Sequence, residues 1–130
     1  MTLHVTYCSR EKKRGEGLSA SERYDSARID RIHGLAEEED EPFAVLSGKF
    51  GLVEPDEEVP FYDQLLADEN MEQVAEDAAD HLEGHGITEA RYFTRPVEGE
   101  RKVYRDCIRE ACEIASVELE TIVFDDLSQI

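Results

Sequence analysis

The chain has 130 residues, 40% of them hydrophobic, which is the length of one domain with enough apolar residues to form a core without disulfides or a structural metal. Its 14 basic and 32 acidic residues give a formal charge of −18, which argues against a general affinity for nucleic-acid backbones or anionic membranes. Any site for an anion must therefore be local.

Other features of the composition indicate a cytoplasmic protein. No apolar run approaches the roughly 20 residues of a membrane helix, and the first fifteen residues lack the pattern of a secretory signal. The three cysteines, Cys8, Cys107 and Cys112, show no Cys-x-x-Cys spacing, so we expect free thiols rather than a disulfide framework or a zinc site. Ten Arg against four Lys, with abundant carboxylates and no Trp, suits a cytosol of high salt; the alternative is an ordinary acidic protein.

The first half of the chain reads as strand, loop, helix and strand. Residues 3–7 mix Leu, Val and Tyr with Thr and predict a strand, followed by a polar loop over residues 8–18. Ser19 and Glu22 form a capping-box pattern, and apolar residues recur at helical spacing, which predicts a helix over residues 20–37. Residues 43–46 form a short apolar run typical of a buried strand.

The second half continues the alternation. A long loop, kept irregular by two prolines, is expected over residues 47–63, and Asn70 is the predicted N-cap of a helix that ends near Gly84. A strand over residues 88–94, a helix ending near Ser116 and a strand over residues 119–124 complete the pattern. The sequence therefore predicts a single three-layer α/β domain over residues 1–130, Rossmann-like in kind. Its sheet is mostly parallel, with about four strands and helices on both faces.

Ligands of open parallel sheets bind beyond the carboxyl ends of the strands, so the loops after strands are the candidate sites. The loop after the first strand holds Cys8, Ser9 and four cations, including Lys12, in front of a helix N-terminus, which favours an anion. The cations also favour the thiolate of Cys8, its nucleophilic form. The alternative is a buried Cys8 beside a solvated basic loop.

The loop after the second strand contains Ser47-Gly48-Lys49-Phe50-Gly51, which lacks the full phosphate-loop motif and so excludes a Walker nucleotide site. Its two glycines allow a ligand to approach the backbone, and Lys49 is the sole basic residue in the segment 34–90, which has a charge of −17. The alternative is a tight turn with an exposed lysine.

Further candidates have a functional and a structural interpretation each. Tyr62 and Asp63 can act as a donor and a base over the site, or they can pack and cap a short helix. Tyr24, Arg28 and Arg31 share one helical face, which is either a basic wall or a solvated stripe.

The remaining polar candidates do not predict a site. His81 and His85 have the i, i+4 spacing of a metal pair, but no third ligand is identified, so no metal site is predicted. Cys107 and Cys112 have apolar neighbours on a helix and are expected in the core.

Three motifs together resemble an uncharacterised group of small cytosolic domains, over about residues 3–66. The motifs are Tyr7-Cys8-Ser9-x-x-Lys12, Leu46-Ser47-Gly48-Lys49-Phe50-Gly51-Leu52 and Tyr62-Asp63, with Tyr24 between the first and the second. That group is more distantly similar to YaaA-like domains and to domains associated with modified nucleobases. The resemblance implies a nucleotide-like ligand. It also points to a set of site residues: Cys8, Ser9, Lys12, Tyr24, Ser47, Lys49, Gly51, Tyr62 and Asp63.

We expect an enzyme, a transferase or hydrolase, that acts on a small anionic nucleotide- or nucleobase-like molecule. Lys12 and Lys49 would hold the anion, and Cys8 or Asp63 would carry the covalent or proton-transfer chemistry. Arg95 follows the third predicted strand and is expected at the same edge. No cofactor is predicted.

Two other functions are open. One is a non-catalytic nucleotide-sensing or protein-interaction module, which would present the acidic segment to a basic partner protein. The other is nucleic-acid binding through residues 10–31, which would have to overcome the charge of the whole molecule.

Overall fold

The computed structural model describes all residues from 1 to 130, and its strands and helices alternate along the chain. The strands are β1 (Thr2–Tyr7), β2 (Phe43–Ser47), β3 (Gly51–Val53), β4 (Glu89–Thr94) and β5 (Glu118–Val123). The helices are α1 (Ala20–Arg23), α2 (Ala27–Glu38), α3 (Asp68–Gly84) and α4 (Arg101–Ala115), with a final 3₁₀ turn at Leu127–Gln129.

The strands form one sheet in the order β3-β2-β1-β4-β5, parallel except for the edge strand β3. Helix α2 contacts β1 and β2, whereas α3 and α4 pack on each other and contact β3, β4 and β5. With the right-handed crossovers usual between parallel strands, α2 covers one face of the sheet, and α3 and α4 cover the other. The predicted α/β class, with a mostly parallel sheet and helices on both faces, is confirmed; the sheet has five strands rather than four.

The additional strand, β3, lies inside the segment predicted as irregular loop. The Ser47 hydroxyl accepts hydrogen bonds from the amides of Lys49 and Phe50 at 3.1 and 3.0 Å, which reverses the chain directly after β2. Gly51 then adopts a φ of +77°, a conformation that favours glycine. The prediction missed β3 because a three-residue strand has too few positions to show a periodicity.

The helix predicted over residues 20–37 is broken in two. Tyr24 has an extended backbone (φ −82°, ψ 116°), and a new helix starts after Ser26, whose hydroxyl accepts from the amide of Ile29 at 3.2 Å. The capping-box contact does form, since Glu22 accepts from the Ser19 amide at 3.0 Å, but it caps only the four-residue α1.

The prediction of Asn70 as an N-cap is wrong, because α3 starts at Asp68 with Ala67 at the cap position. Asn70 reaches back instead: its Oδ1 accepts from the Ala67 amide at 2.8 Å, and its Nδ2 donates to the Gly48 carbonyl at 3.1 Å. The side chain therefore connects the start of α3 to the turn after β2.

The buried apolar side chains form one contiguous cluster of 33 residues, drawn from both faces of the sheet. Cys107 and Cys112 belong to it, so their predicted place in the core is confirmed. None of the helices combines the length and hydropathy that crossing a membrane would require.

Candidate functional site

A cavity of about 640 Å³ opens at the carboxyl ends of β1 and β4. From β1 the chain continues to β2, its neighbour in one direction along the sheet, and from β4 it continues to β5, its neighbour in the opposite direction. The strand order therefore reverses between β1 and β4. Ligands of open α/β sheets bind at this point, and the volume is typical of small-molecule sites. The lining residues are Tyr7, Cys8, Ser9, Arg10, Arg28, Leu65, Arg95, Glu98, Gly99, Glu100, Arg101 and Tyr104.

Arg28 is a buried cation on the wall of this cavity. Because α2 begins at Ala27, Arg28 lies in the first turn, beside the end of β1. Its Nη1 donates to Thr6 Oγ1 and to the Tyr7 carbonyl, both at 2.6 Å, and its Nη2 donates to the Cys8 carbonyl at 3.3 Å. No carboxylate pairs with it, and two of its five N–H groups have no acceptor within the chain.

The surroundings of Arg28 keep its charge uncompensated. Its guanidinium lies 3.6 Å from the centroid of the Tyr7 ring, a cation–π contact. Burial lowers the pKa of Arg28, the neighbouring Tyr7, Tyr92 and Cys8 oppose this effect, and the charge of Arg95 makes a smaller contribution that lowers it, although an arginine stays protonated. Two cations thus face the same space, and an anion between them would relieve both their repulsion and the cost of burying Arg28.

Four arginines and two glutamates line the cavity, a formal charge of +2 in a chain of −18. Arg10 pairs with Glu100, and Arg101 lies 3.6 Å from Glu98. Arg95 is half-buried and donates to the backbone carbonyl of Asp125 at 3.0 Å, with no carboxylate partner. The free cations of the site are therefore Arg28 and Arg95.

Cys8 lies on the cavity wall directly after β1. Its amide donates to the Leu46 carbonyl at 3.0 Å, and its Sγ lies 3.5 Å from the Tyr104 hydroxyl. That hydroxyl accepts from the Leu66 amide at 3.2 Å, which leaves its own hydrogen for the sulfur. Burial raises the pKa of Tyr104, so the phenol remains an O–H donor that can stabilise a thiolate.

Lys12 and Asp63 line a smaller depression of about 200 Å³ beside the main cavity, and Arg10 and Leu65 contribute to both. The Lys12 ammonium lies 4.5 Å from the centroid of the Tyr62 ring. Asp63 is exposed. Of the predicted site residues, Cys8, Ser9 and Arg95 therefore reach the main cavity, whereas Lys12 and Asp63 reach only its neighbour.

The predicted binders Tyr24, Ser47 and Tyr62 form a buried hydrogen-bonded chain beneath this depression. Ser47 Oγ donates to the Tyr62 hydroxyl at 2.9 Å, and the two phenol oxygens lie 2.6 Å apart. Burial raises the pKa of both Tyr24 and Tyr62, so both phenols are neutral. These hydrogen bonds join the segment between α1 and α2 to the end of β2 and to the loop after β3, and none of the three residues lines the main cavity.

The glycine turn after β2 packs against the protein itself. A Cβ at Gly48 would lie 2.6 Å from the Leu66 amide nitrogen, and one at Gly51 would lie 3.1 Å from Asp77 Cβ. Lys49 is exposed, with its ammonium 5.5 Å from the Phe50 ring, and lines neither cavity. Contrary to the expectation from sequence, Gly48, Lys49 and Gly51 do not meet Cys8 in one cavity, because the turn into β3 carries them away.

The expected anion site at the helix after the first loop is also not formed. The helix there is the four-residue α1, and its first amides already have acceptors. The Ala20 amide donates to the backbone carbonyl of Glu57 at 2.8 Å, and the Ser21 amide donates to that of Pro55 at 2.9 Å. The proposed face of Tyr24, Arg28 and Arg31 is broken by the gap between α1 and α2. Arg31 is exposed and donates to the Ile130 carbonyl.

Arg28, Tyr104 and Arg101 line the cavity. The sequence suggested neither Tyr104 nor Arg101 there, and it considered Arg28 only as part of a basic face with Tyr24 and Arg31. All three lie in the first turn or two of helices that begin at the carboxyl edge of the sheet. Ser26 was the available signal, because recognising it as an N-cap places Arg28 at that edge. No family model, no curated protein and no solved structure matches the chain.

Proposed function

We propose that the chain is an enzyme of the transferase or hydrolase class that acts on a small anionic, nucleotide-like molecule bound in the cavity between β1 and β4. The observation that carries the proposal is Arg28, a buried guanidinium without a carboxylate partner that faces this cavity together with Arg95. Guanidinium groups bind phosphate oxygens through paired N–H donors, so two converging arginines suit a phosphate.

The rest of the lining supports a ligand with an apolar part beside its anionic group. Tyr7, Leu65 and Tyr104 give the wall an aromatic and aliphatic portion next to the arginines. The motif resemblance to YaaA-like and modified-nucleobase-associated domains favours a nucleobase for this part. Three free thiols fit a cytoplasmic location, where thiols stay reduced.

The catalytic role falls to Cys8 in this proposal. What supports it is the position of its thiol on the cavity wall, 3.5 Å from a phenol that can donate a hydrogen bond to a thiolate. Asp63 is the proposed proton carrier at the adjoining depression. A chain that binds nucleotides without converting them would instead be the nucleotide-sensing module.

Binding is tested by calorimetry and thermal shift with inorganic phosphate, AMP and adenosine. We expect AMP to bind more tightly than phosphate, and adenosine, which lacks the charge, to bind least. Arg95→Gln removes one cation from a half-buried position, so it should weaken AMP binding by roughly tenfold or more. Arg28→Lys keeps the buried positive charge but removes the paired N–H donors of the guanidinium, so it tests whether those donors hold the anion.

The matched control is Arg109→Gln, which removes an exposed arginine of α4 that pairs with Asp106 at 2.9 Å and lies outside the cavity. It should bind AMP like the unmodified chain. The proposal fails if no anion stabilises the protein, or if Arg95→Gln binds AMP as tightly as Arg109→Gln. If the unmodified chain does not convert AMP and the Cys8→Ser variant still binds it, the nucleotide-sensing module is favoured over the enzyme.

A further inference from the structure

Three side chains with metal-binding atoms meet at the amino edge of the sheet, opposite the cavity. Glu54 follows the edge strand β3, His81 lies in the last turn of α3, and His85 caps the end of that helix. One ligand atom from each residue lies within 4.8 Å of the other two. The helical spacing brings the two histidines together, and the packing of α3 on β3 adds the carboxylate.

We propose that Glu54, His81 and His85 bind one divalent transition-metal ion of the Zn²⁺ type. Two imidazoles and one carboxylate are a recurrent protein ligand set for Zn²⁺, and they leave a fourth position for water. Nitrogen ligands favour Zn²⁺ and its transition-metal neighbours over Mg²⁺ or Ca²⁺, which prefer oxygen. The i, i+4 pair lacked a third ligand in the sequence; the fold supplies one from 27 positions upstream of His81.

The orientation of His85 supports this assignment. Its Nδ1 lies 2.9 Å from the backbone carbonyl of His81, and because a carbonyl only accepts, Nδ1 must carry the hydrogen. Its Nε2 then points at Glu54, with 2.9 Å between Nε2 and Oε1. Metal-bound histidines are held in the same way, with the second ring nitrogen donating to a carbonyl or carboxylate.

His81 provides the second imidazole. Its ring stacks on that of His85, with the centroids 4.1 Å apart and 20° between the planes. A bound metal must lie in the plane of each ring, so coordination requires the His81 ring to turn about χ2, a soft torsion, while His85 keeps its hydrogen bond to the carbonyl. An ion pair of His85 with Glu54 would account for that one contact, but not for a second, half-buried imidazole held against it.

The electrostatic surroundings favour a cation. The site is at the C-terminal end of the 17-residue α3, where the helix dipole is negative. It also belongs to the segment 34–90, whose formal charge is −17.

Titration calorimetry of the full chain with ZnCl₂, under conditions that keep the thiols reduced, tests the site. We expect one Zn²⁺ per chain and no comparable binding of Mg²⁺. His81→Gln, His85→Gln and Glu54→Gln should each weaken Zn²⁺ binding by at least about tenfold, the smallest loss seen when even an outer partner of a metal site is removed. The three residues lie on two different elements, so a folding defect in one variant leaves the others informative.

His33→Gln is the matched control. His33 also pairs with a glutamate one helical turn away, Glu37 at 3.1 Å, but its ring stacks on Phe43 rather than on a second imidazole. This variant should bind Zn²⁺ like the unmodified chain. The proposal is overturned if the unmodified chain binds no Zn²⁺, if His81→Gln and His85→Gln titrate like His33→Gln, or if Mg²⁺ binds as tightly as Zn²⁺.

Discussion

Two arginines, Arg23 and Arg28, are buried without a carboxylate partner, and only one of them faces a cavity. Arg23 is 1% exposed and donates to the carbonyls of Val59 and Lys13 at 2.8 and 2.7 Å, so its cation fastens two loops to each other. Arg28 also donates to carbonyls, but it opens onto the space it shares with Arg95. Arg23 therefore stabilises the fold, whereas Arg28 is available to a ligand.

The three thiols differ in the same way, which predicts the order of their alkylation by iodoacetamide at pH 8. Burial raises the pKa of Cys107 to about 12 and that of Cys112 to about 11, so both remain unreactive thiols at this pH. Cys8 lies on the cavity wall and should react first, and AMP should slow its reaction. Peptide mapping by mass spectrometry measures the three rates.

Cys8→Ser is the control for this experiment, since it should remove the fast phase and leave the other two rates unchanged. The nucleophilic role of Cys8 is excluded if its thiol reacts no faster than a free thiol such as glutathione at neutral pH. Faster labelling of Cys107 or Cys112 would show that the order of burial is wrong.

His4 gives the protein a pH-dependent stability. Its side chain is 1% exposed, Nε2 lies 3.1 Å from Glu39, and Nδ1 is buried without a hydrogen-bond partner. Burial lowers the pKa of His4, because protonation would leave a buried N–H without an acceptor. Glu39 opposes this effect. The unfolded chain therefore takes up this proton at a higher pH than the folded chain does.

The free energy of unfolding should consequently fall as the pH drops below about 6.5, the ordinary histidine value, and continue to fall until the lower folded pKa is passed. Urea denaturation between pH 7.5 and 5.5 measures the slope. His4→Gln should show a smaller slope over this range, whatever its stability at pH 7.5. Equal slopes in the two proteins would rule out a contribution from His4.

At the scale of elements, the long segments were predictable and the short ones were not. Four strands and the helices α3 and α4 follow from apolar runs and helical spacing, because their apolar residues lie in the core or, for Leu119 and Ile122 of β5, pack against it. The apolar residues used to predict the first helix, Ile29, Ile32, Leu35 and Ala36, all fall within α2, so they held no information about residues 20–26. Ser26 marked the true start.

The site was predictable to the extent that it depends on strand ends. The rule that ligands bind beyond parallel strands placed Cys8, Ser9 and Arg95 at the sheet edge where the cavity opens. The expectation for Lys49 came from its isolation among acidic residues, which is a property of the sequence, whereas the Ser47 turn sets its direction and leaves it outside both cavities. Ser26 signalled the position of Arg28 at the start of α2, but no local pattern records that Tyr104 of α4 converges with it on the cavity.

The turn after β2 predicts a stability difference between two glycine substitutions. At Gly48 a Cβ would meet the Leu66 amide nitrogen at 2.6 Å and the Tyr104 hydroxyl at 2.9 Å, so Gly48→Ala must displace backbone and should destabilise the protein by about 2 kcal/mol. Urea denaturation followed by circular dichroism gives the free energy of unfolding.

Gly34→Ala is the matched control, because Gly34 lies inside α2 and a methyl group added there would meet no atom within 4 Å apart from its chain neighbours and the backbone of its own helix. Alanine is the better helix former, so this variant should gain up to about 1 kcal/mol. Opposite signs at the two positions are the expected result. A Gly48→Ala protein as stable as the unmodified chain would mean that the turn yields to the methyl group.

At the scale of the whole molecule, the two edges of the sheet have different chemistry. The carboxyl edge holds the cavity, where arginines outnumber glutamates, and the amino edge holds Glu54 and the two histidines within the acidic segment. A net charge of −18 surrounds both, so an anion reaches the cavity only through a local positive field. Salt should therefore weaken binding of AMP at the cavity while it relieves repulsion across the rest of the surface.

That repulsion predicts a melting temperature that rises between 0.05 and about 1 M NaCl, where the screening length falls to about 3 Å. Glu72, Glu76 and Asp80 are exposed at successive i, i+4 positions of α3, and each like-charge pair costs about 0.2–0.5 kcal/mol at low salt. The triple variant Glu72→Gln, Glu76→Gln and Asp80→Asn reduces the negative formal charge from −18 to −15. Its melting temperature should therefore be higher than that of the unmodified chain at 0.05 M NaCl and should rise less when salt is added.

Any stabilisation by NaCl that is unrelated to charge acts on both proteins equally, and scanning calorimetry across the salt series separates the two effects. A melting temperature of the unmodified chain that is insensitive to salt would indicate an ordinary acidic surface rather than one suited to high salt.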